Sequence, residues 1–429
     1  MKLIHIADLH LGKSIYDISL LEDQKDWINK FLSDMDNDKP EAVLIAGDVY
    51  DRSNPNPEAM KLLDFFLTEL ADRKIKVMMI AGNHDNGSRL EYMSSLLKKS
   101  GIHVAGITEK EIKKVSLNDE YGEIDFWLLP YTTPASVERA FDKENREFKS
   151  YEEAYKYLLE NQEIDKSKRN VLIAHQNITK DGLEAERSGS ETMVGGSGQI
   201  DYRVLDDFDY AALGHIHAPG YVGREEVRYC GTPLCYHFDE LDRVKKDENG
   251  IPLKGYLKVE IKEKGNISIE SKYIKPLHIM KKVEGNYEEL FKEETERKGS
   301  SEYVDVLIHD KRATAEVQAA FENLYRNKGS KKIHLGSDYR ENNGISANTN
   351  LKKMSGDESM DELFKAFYAE GNNGAEPEDK DMEVLNKVSE TVEEIEREGL
   401  NIRDLKKIDD KSIEKIKKIE DLVMKQEEE

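Results

Sequence analysis

Five short segments of the chain carry residues able to hold metal ions: Asp8-Leu9-His10, Gly47-Asp48-Val49-Tyr50-Asp51, Gly82-Asn83-His84-Asp85, His175, and Gly214-His215-Ile216-His217. Imidazole nitrogens with carboxylate and amide oxygens suit Mn²⁺, Fe²⁺ or Zn²⁺, and a set without thiolates disfavours a structural zinc site. Singly each segment is weak, since a DxH arises by chance and GNHD can be a polar turn. Together, each at the end of an apolar run, they point to one binuclear centre. There a carboxylate must bridge two ions about 3.5–4 Å apart, so that both clamp one phosphate. Asp48 is the natural bridge. Asp8, His10 and one histidine of His215/His217 would complete one ion, with Asn83, His175 and the other histidine completing the second. In extended backbone, residues two apart point to the same side, which lets Asp8/His10 and His215/His217 each offer two ligands. His84 is left over. Beside a scissile phosphate it can stabilise phosphoryl charge or protonate the leaving oxygen, with Asp85 fixing its tautomer; the plainer reading is a histidine capping a turn.

Such ligands need rigid supports, and apolar strand patterns precede them: Leu3 to Ala7, Ala42 to Ala46, Val77 to Ala81, Asp125 to Leu129, Val171 to His175 and Tyr210 to Gly214. Between them Met60, Leu63, Leu67 and Leu70 share a helical face, and Pro57 after Asn56 takes a favoured first-turn position. Alternating strands and helices predict an α/β fold, a β-sandwich flanked by helices with the five segments converging on one edge. Tyr256 to Ile261 and Asn266 to Tyr273 read as a hairpin around Lys264-Gly265. The expected division is a catalytic domain over 1–276, a small α+β capping domain over 277–339 with strand, helix, strand, helix, strand, a flexible linker over 340–360, and C-terminal helices over 361–429. The tail helices carry narrow stripes, Val384/Val388/Val392/Ile395 and Ile402/Leu405/Ile408 continuing to Val423, on otherwise charged surfaces.

The 429 residues carry a formal net charge of −23, which argues against a broad basic face for nucleic acid. The predicted centre offsets this locally, because two divalent ions bring roughly +4 and two ligating carboxylates remove about 2. Cys230 and Cys235 are the only cysteines, too few for a disulfide framework or a cysteine-built zinc site. With no membrane-length apolar run and no signal-peptide pattern at Met1 to Asp8, the expectation is a cytoplasmic protein. Lys13, Arg52 and Arg89 lie close behind the metal motifs and can reach DNA phosphates, but loop cations are more often solvated. His5 and His237 are expected to bond locally. The run Gly195 to Gly198 lacks a following P-loop lysine and reads as a loop near the site, and no Walker motif occurs.

The five segments resemble the signature of the calcineurin-like metallophosphoesterases. The stretches IHIADLHLGKS, GDVYDRSNPNPEA, GNHDNGSRL and GTPLCYHFDE resemble more closely its SbcD family of nuclease subunits, which work with SbcC ATPases. The resemblance implies Asp8, His10, Asp48 and His217 on one ion, Asp48, Asn83, His175 and His215 on the other, and His84 on the phosphate side. It implies Mn²⁺-dependent exonuclease and endonuclease cutting of DNA ends and hairpins. It also implies a homodimer within a heterotetramer, with ATP hydrolysed by the partner and the C-terminal helices docking on that partner. A phosphoesterase for a small phosphodiester or phosphoprotein is the alternative, disfavoured by the roughly 150 residues expected beyond the core. A docking subunit with a silent site is disfavoured by the intact ligand set.

Overall fold

A computed structural model describes residues 1–337 other than 17, 142–146, 182–197, 298–301 and 328–331, and beyond them only residues 365, 377 and 382. The strand Lys2–Ile6 pairs in parallel with Ala42–Ala46 and antiparallel with Gly255–Ile261. Lys76–Ile80 and Ile102–Ala105 extend the sheet on one side and Ile267–Tyr273 on the other, giving six strands. A second six-stranded sheet runs Gly220–Val222, Arg224–Tyr229, Tyr210–Gly214, Arg169–His175, Gly122–Leu129, Lys113–Asp119.

The central strands are apolar on both faces because both faces are covered. Between the sheets, Leu3, Leu44, Met78 and Ile80 pack with Ile124, Phe126, Val171, Ile173 and Ala212. Outside the first sheet, Val43 and Ile45 meet Trp27 and Phe31 of helix Leu21–Asp38 and Phe66 and Leu70 of helix Pro57–Asp72. Outside the second, Leu172 and Leu213 meet Val137, Tyr155 and Leu158 of helices Pro134–Ala140 and Tyr151–Glu160. The result is the predicted sandwich with helices on its outer faces.

Asn56 caps its helix by accepting from the Ala59 N–H at 2.7 Å, with Pro57 in the first turn. The buried stripe there is Ala59, Leu62, Leu63, Phe66, Leu67 and Leu70. Met60, assigned to that face from its spacing, is instead 46% exposed, because the stripe is centred on Phe66 and Met60 lies one residue off it.

Beyond Lys275, strands Ile279–Gly285, Glu302–Ile308 and Lys332–Ser337 form a parallel three-stranded sheet in that order. Helices Tyr287–Glu296 and Ala315–Asn327 connect them, and Val304, Val306, Ile308, Phe321 and Tyr325 form the core. Buried Asp23 ties this unit to the sandwich, accepting from the His278 backbone at 3.1 Å, from its Nδ1 at 2.9 Å and from the Tyr303 hydroxyl at 2.7 Å. The linker and tail expected over 340–360 and 361–429, and Gly195 to Ser197, fall outside the described residues apart from the three isolated positions. Among the described residues no helix is long and apolar enough to cross a membrane.

Candidate metal centre

The five segments lie at or just beyond the C-terminal ends of Lys2–Ile6, Ala42–Ala46, Lys76–Ile80, Arg169–His175 and Tyr210–Gly214, and the sandwich brings those ends to one edge. Their backbone is not extended, as the two-residue spacing suggested. Asp8, His10, Asp48 and His215 have φ of +52, +42, +47 and +100, in the left-handed region. Non-glycine residues there are strained, and such strain clusters at functional sites. The turns are pinned by Asp8 N–H to the Gly47 carbonyl at 3.1 Å and His10 N–H to the Asp48 carbonyl at 2.9 Å. Gln24 also donates to the His10 carbonyl at 2.7 Å. Glycines clear the space: a Cβ on Gly47 would lie 2.3 Å from the His175 ring, and one on Gly82 would lie 2.1 Å from Asp48 Oδ1.

Each carboxylate is fixed through one oxygen. Asp8 Oδ1 accepts from the His215 N–H and Asp48 Oδ1 from the His84 N–H, both at 2.9 Å. The other oxygens face the cluster. Asp8 Oδ2 is buried without a hydrogen-bond partner among the described residues, and Asp48 Oδ2 lies 3.6 Å from His10 Nε2 and 3.3 Å from His175 Nε2. His10 Nε2 is 3.2 Å from His217 Nε2, while Asn83 Oδ1 lies 3.0 Å from His175 Nε2 and 3.1 Å from His215 Nδ1.

The far ring nitrogens set the tautomers. His175 Nδ1 donates to the Ala46 carbonyl at 2.9 Å, and His217 Nδ1 faces the Glu240 carboxylate at 3.3 Å. His10 Nδ1, without a hydrogen-bond partner among the described residues, faces Asp51 Oδ1 at 3.6 Å. With the His217 Nδ1 proton directed to Glu240, its Nε2 lone pair faces His10 Nε2 across 3.2 Å, a spacing at which one cation could accept from both rings. Ligands about 2.0–2.2 Å from one ion stand roughly 2.8–3.6 Å apart. The spacings from 3.0 to 3.6 Å match that. The residues therefore fit divalent ions, with Asp48 between two ligand groups.

The buried groups hold one another's charges. Burial pushes the Asp8 carboxyl up to about 7, Asp48 adding to the rise against His175 and His217. Burial also penalises the Asp48 charge, but His175, by charge and hydrogen bond, and His10 outweigh it and hold Asp48 well below the usual carboxylate range. Burial would lower His175, yet the Asp48 carboxylate beside it lifts it to about 9. Burial keeps His10 well below its ordinary value and so neutral, as a ligand must be.

Asp85 does not orient His84 as expected. Its oxygens accept backbone N–H groups of Val49 at 3.0 Å, Tyr50 at 2.9 Å and Gly82 at 2.9 Å, bracing one motif against the next. Burial, with Asp48 nearby, raises it to about 6. The His84 ring is instead held by the Asp51 carbonyl, which accepts from Nδ1 at 2.9 Å. Sequence reasoning gave no role to Asp51, Glu240 or Lys254. Glu240 is buried, facing His217 through Oε1 and accepting from Lys254 Nζ through Oε2 at 2.8 Å. Its only signal was its place in GTPLCYHFDE. Lys13 pairs with Asp51 at 2.9 Å, Arg52 lies 3.7 Å from Asp51 with its side chain exposed, and Arg89 folds onto Asn54 at 2.6 Å. His5 bonds the Tyr210 hydroxyl at 2.9 Å, His237 bonds Asp239, and both cysteines are buried and free.

Residues 1–219 match the calcineurin-like phosphoesterase family, and residues 275–372 match the type 5 capsule protein repressor C-terminal domain. The chain is 31% identical over 306 residues to the D subunit of nuclease SbcCD from Staphylococcus epidermidis, covering 71% of this chain and 77% of that protein. It is 31% identical over 332 residues to the protein of the same name from Staphylococcus saprophyticus, covering 76% and 83%. A crystal structure of a dimetal phosphatase from Danio rerio aligns with a TM-score of 0.37 at 14% identity, over 65% of this chain and 98% of that one.

Proposed function

Because the chain belongs to the calcineurin-like phosphoesterase family, we propose that it is a metal-dependent DNA nuclease, the D-type subunit of an SbcCD-like complex. The observation that carries this reading is the cluster of buried ligand atoms at the strand ends, with Asp48 Oδ2 between His10 Nε2 and His175 Nε2. In our assignment Asp8, His10, Asp48 and His217 hold one ion, and Asp48, Asn83, His175 and His215 the other. Mn²⁺ suits a set of imidazoles, carboxylates and one amide. Divalent ions bound there neutralise phosphoryl charge and lower the pKa of water.

The chain's own groups supply orientation and proton transfer. Asp51 holds the His84 ring through Nδ1, which directs Nε2 to the phosphate side, where a protonated imidazole can donate to the departing sugar oxygen. Asp8 and Asp48, each anchored by a backbone N–H, keep their second oxygens in place without reorganisation. The acidic surface leaves binding of long DNA to an SbcC-like ATPase partner in the cytoplasm. We assign residues 361–429 to docking on that partner, 340–360 to the linker and 277–339 to the cap, in a homodimer within a heterotetramer that needs no membrane.

The test is purified chain with Mn²⁺ and end-labelled duplex, hairpin and single-stranded DNA, with and without a co-expressed ATPase partner. Mn²⁺-dependent cleavage, extended to long duplex by the partner, is expected. Turnover of bis(p-nitrophenyl) phosphate with no DNA cleaved under either condition would overturn the nuclease reading.

A further inference from the structure

Behind the first metal motif, Ser14–Ile15 pairs antiparallel with Ile18–Ser19 in a hairpin of two residues a strand. So short a ribbon has no stability of its own in water. Tyr16 opens its turn with φ +50, where Asn or Gly is the ordinary choice and a bulky side chain is strained. Something outside the hairpin must hold the tyrosine there. Its ring stacks on His334 of the small parallel sheet, with centroids 4.0 Å apart and planes within 7°, and Phe238 lies 6.3 Å away. His334 is itself fixed, Nδ1 donating to Asp305 Oδ1 at 2.7 Å across the adjacent strand. Tyr16 remains 47% exposed, so burial alone does not account for a tyrosine in a glycine's position.

The hairpin leads directly into the metal centre. Lys13, which immediately precedes it, donates its N–H to the His10 carbonyl at 2.9 Å, and its own carbonyl accepts from the Leu20 N–H at 2.9 Å, closing the loop. Lys13 Nζ lies 2.9 Å from Asp51 Oδ1, the oxygen that faces His10 Nδ1 at 3.6 Å. The Asp51 carbonyl takes the His84 ring. A shift of the hairpin therefore moves the cation that holds Asp51, and Asp51 touches both histidines.

We propose that Tyr16, held by its stack on His334, is a positioning residue for the metal centre: it fixes the hairpin that keeps Lys13 on Asp51, and Asp51 sets His10 and His84. This rests on the reading of His10 as a ligand and His84 as the phosphate-side residue. The small sheet thereby becomes the outer brace of the catalytic edge as well as a cap.

The experiment uses the full chain and the variants Tyr16→Gly, Tyr16→Phe, His334→Ala and Asp51→Ala. Glycine relieves the left-handed strain while removing the ring, so it separates the turn from the stack. Tyr16→Gly and His334→Ala should each weaken Mn²⁺ affinity by calorimetric titration about 3- to 10-fold, at or below the lower end of what loss of a ligand-orienting contact costs. They should also speed amide exchange over residues 12–19 and lower kcat for DNA cleavage with little change in KM, while Tyr16→Phe behaves as the parent. In the Asp51→Ala background, Tyr16→Gly should cause no further loss of affinity, because both act through one carboxylate. Parent-like Mn²⁺ affinity in Tyr16→Gly, or a loss that adds in full to that of Asp51→Ala, overturns the proposal. Failure of the parent itself to cleave DNA counts against the nuclease reading alone, since the affinity series still decides the positioning role.

Discussion

His84→Ala separates the two roles open to the histidine next to Asn83. The geometry permits either, because His84 can share an ion with His10 and Asp48, the ligand atoms lying within 4.8 Å of one another. Its ring nevertheless spends Nδ1 on the Asp51 carbonyl, and its contact with Asp48 runs through the backbone N–H, which alanine keeps. The variant should therefore fold, hold Asp48 in place and bind two ions. Losing a general acid should lower the cleavage rate by about 10²- to 10⁴-fold, or roughly 2.7–5.5 kcal/mol of transition-state stabilisation. The assay pairs elemental analysis of dialysed protein with single-turnover cleavage of an end-labelled hairpin in Mn²⁺. A substrate whose leaving group needs no proton, such as a p-nitrophenyl phosphodiester, should recover most of the lost rate. A fall from two ions to one in a folded variant refutes the reasoning and makes His84 a ligand, as does an equal loss on both substrates together with weakened metal binding.

Asp48→Ala removes the oxygen shared by both ligand groups, so both ions should be lost together and activity abolished; retention of one tightly bound ion would show that Asp48 is not the bridge. The buried Glu240 charge is opposed by burial but held well below its ordinary range by Lys254 and by hydrogen bonds from His217 and Lys254. Its folded pKa lies below the unfolded value of 4.5, so its stabilisation is complete above about pH 4.5 and fades as pH falls below that. Glu240→Gln should cost about 3–5 kcal/mol at neutral pH, by stranding the Lys254 ammonium, and should flatten the acid limb of a melting-temperature profile below about pH 4.5; an unchanged limb contradicts this. Truncation after Arg340 should abolish co-purification with the ATPase partner and leave Mn²⁺-dependent cleavage of a short DNA intact; unchanged co-purification would remove the docking assignment.

The sequence by itself determined which residues are candidates for the metal centre and that strand ends carry them. Asp8, His10, Asp48, Asn83, His175, His215 and His217 are unusual polar residues closing apolar runs, a pattern local enough to read without coordinates. The Asn56-Pro57 start of one helix and the turn at Lys264-Gly265 were legible for the same reason, since capping and turn chemistry act over a few residues. The register of an exposed helix face was less so: Met60 is separated from the buried stripe by one residue, and only packing against the sheet fixes which side faces inward. Tertiary structure alone decided the left-handed backbone at four of the candidate ligands, because that strain persists only where contacts from other segments, such as Gly47 to Asp8, over-determine it. It also moved Asp85 from histidine partner to brace, and gave Asp51 to His84 and Glu240 to His217. Those pairings join residues 33 and 23 positions apart. Nothing local distinguishes a buried acid that orients an imidazole from an exposed one; the difference lies in which strand ends the sandwich brings together, and so in how far water is kept from them.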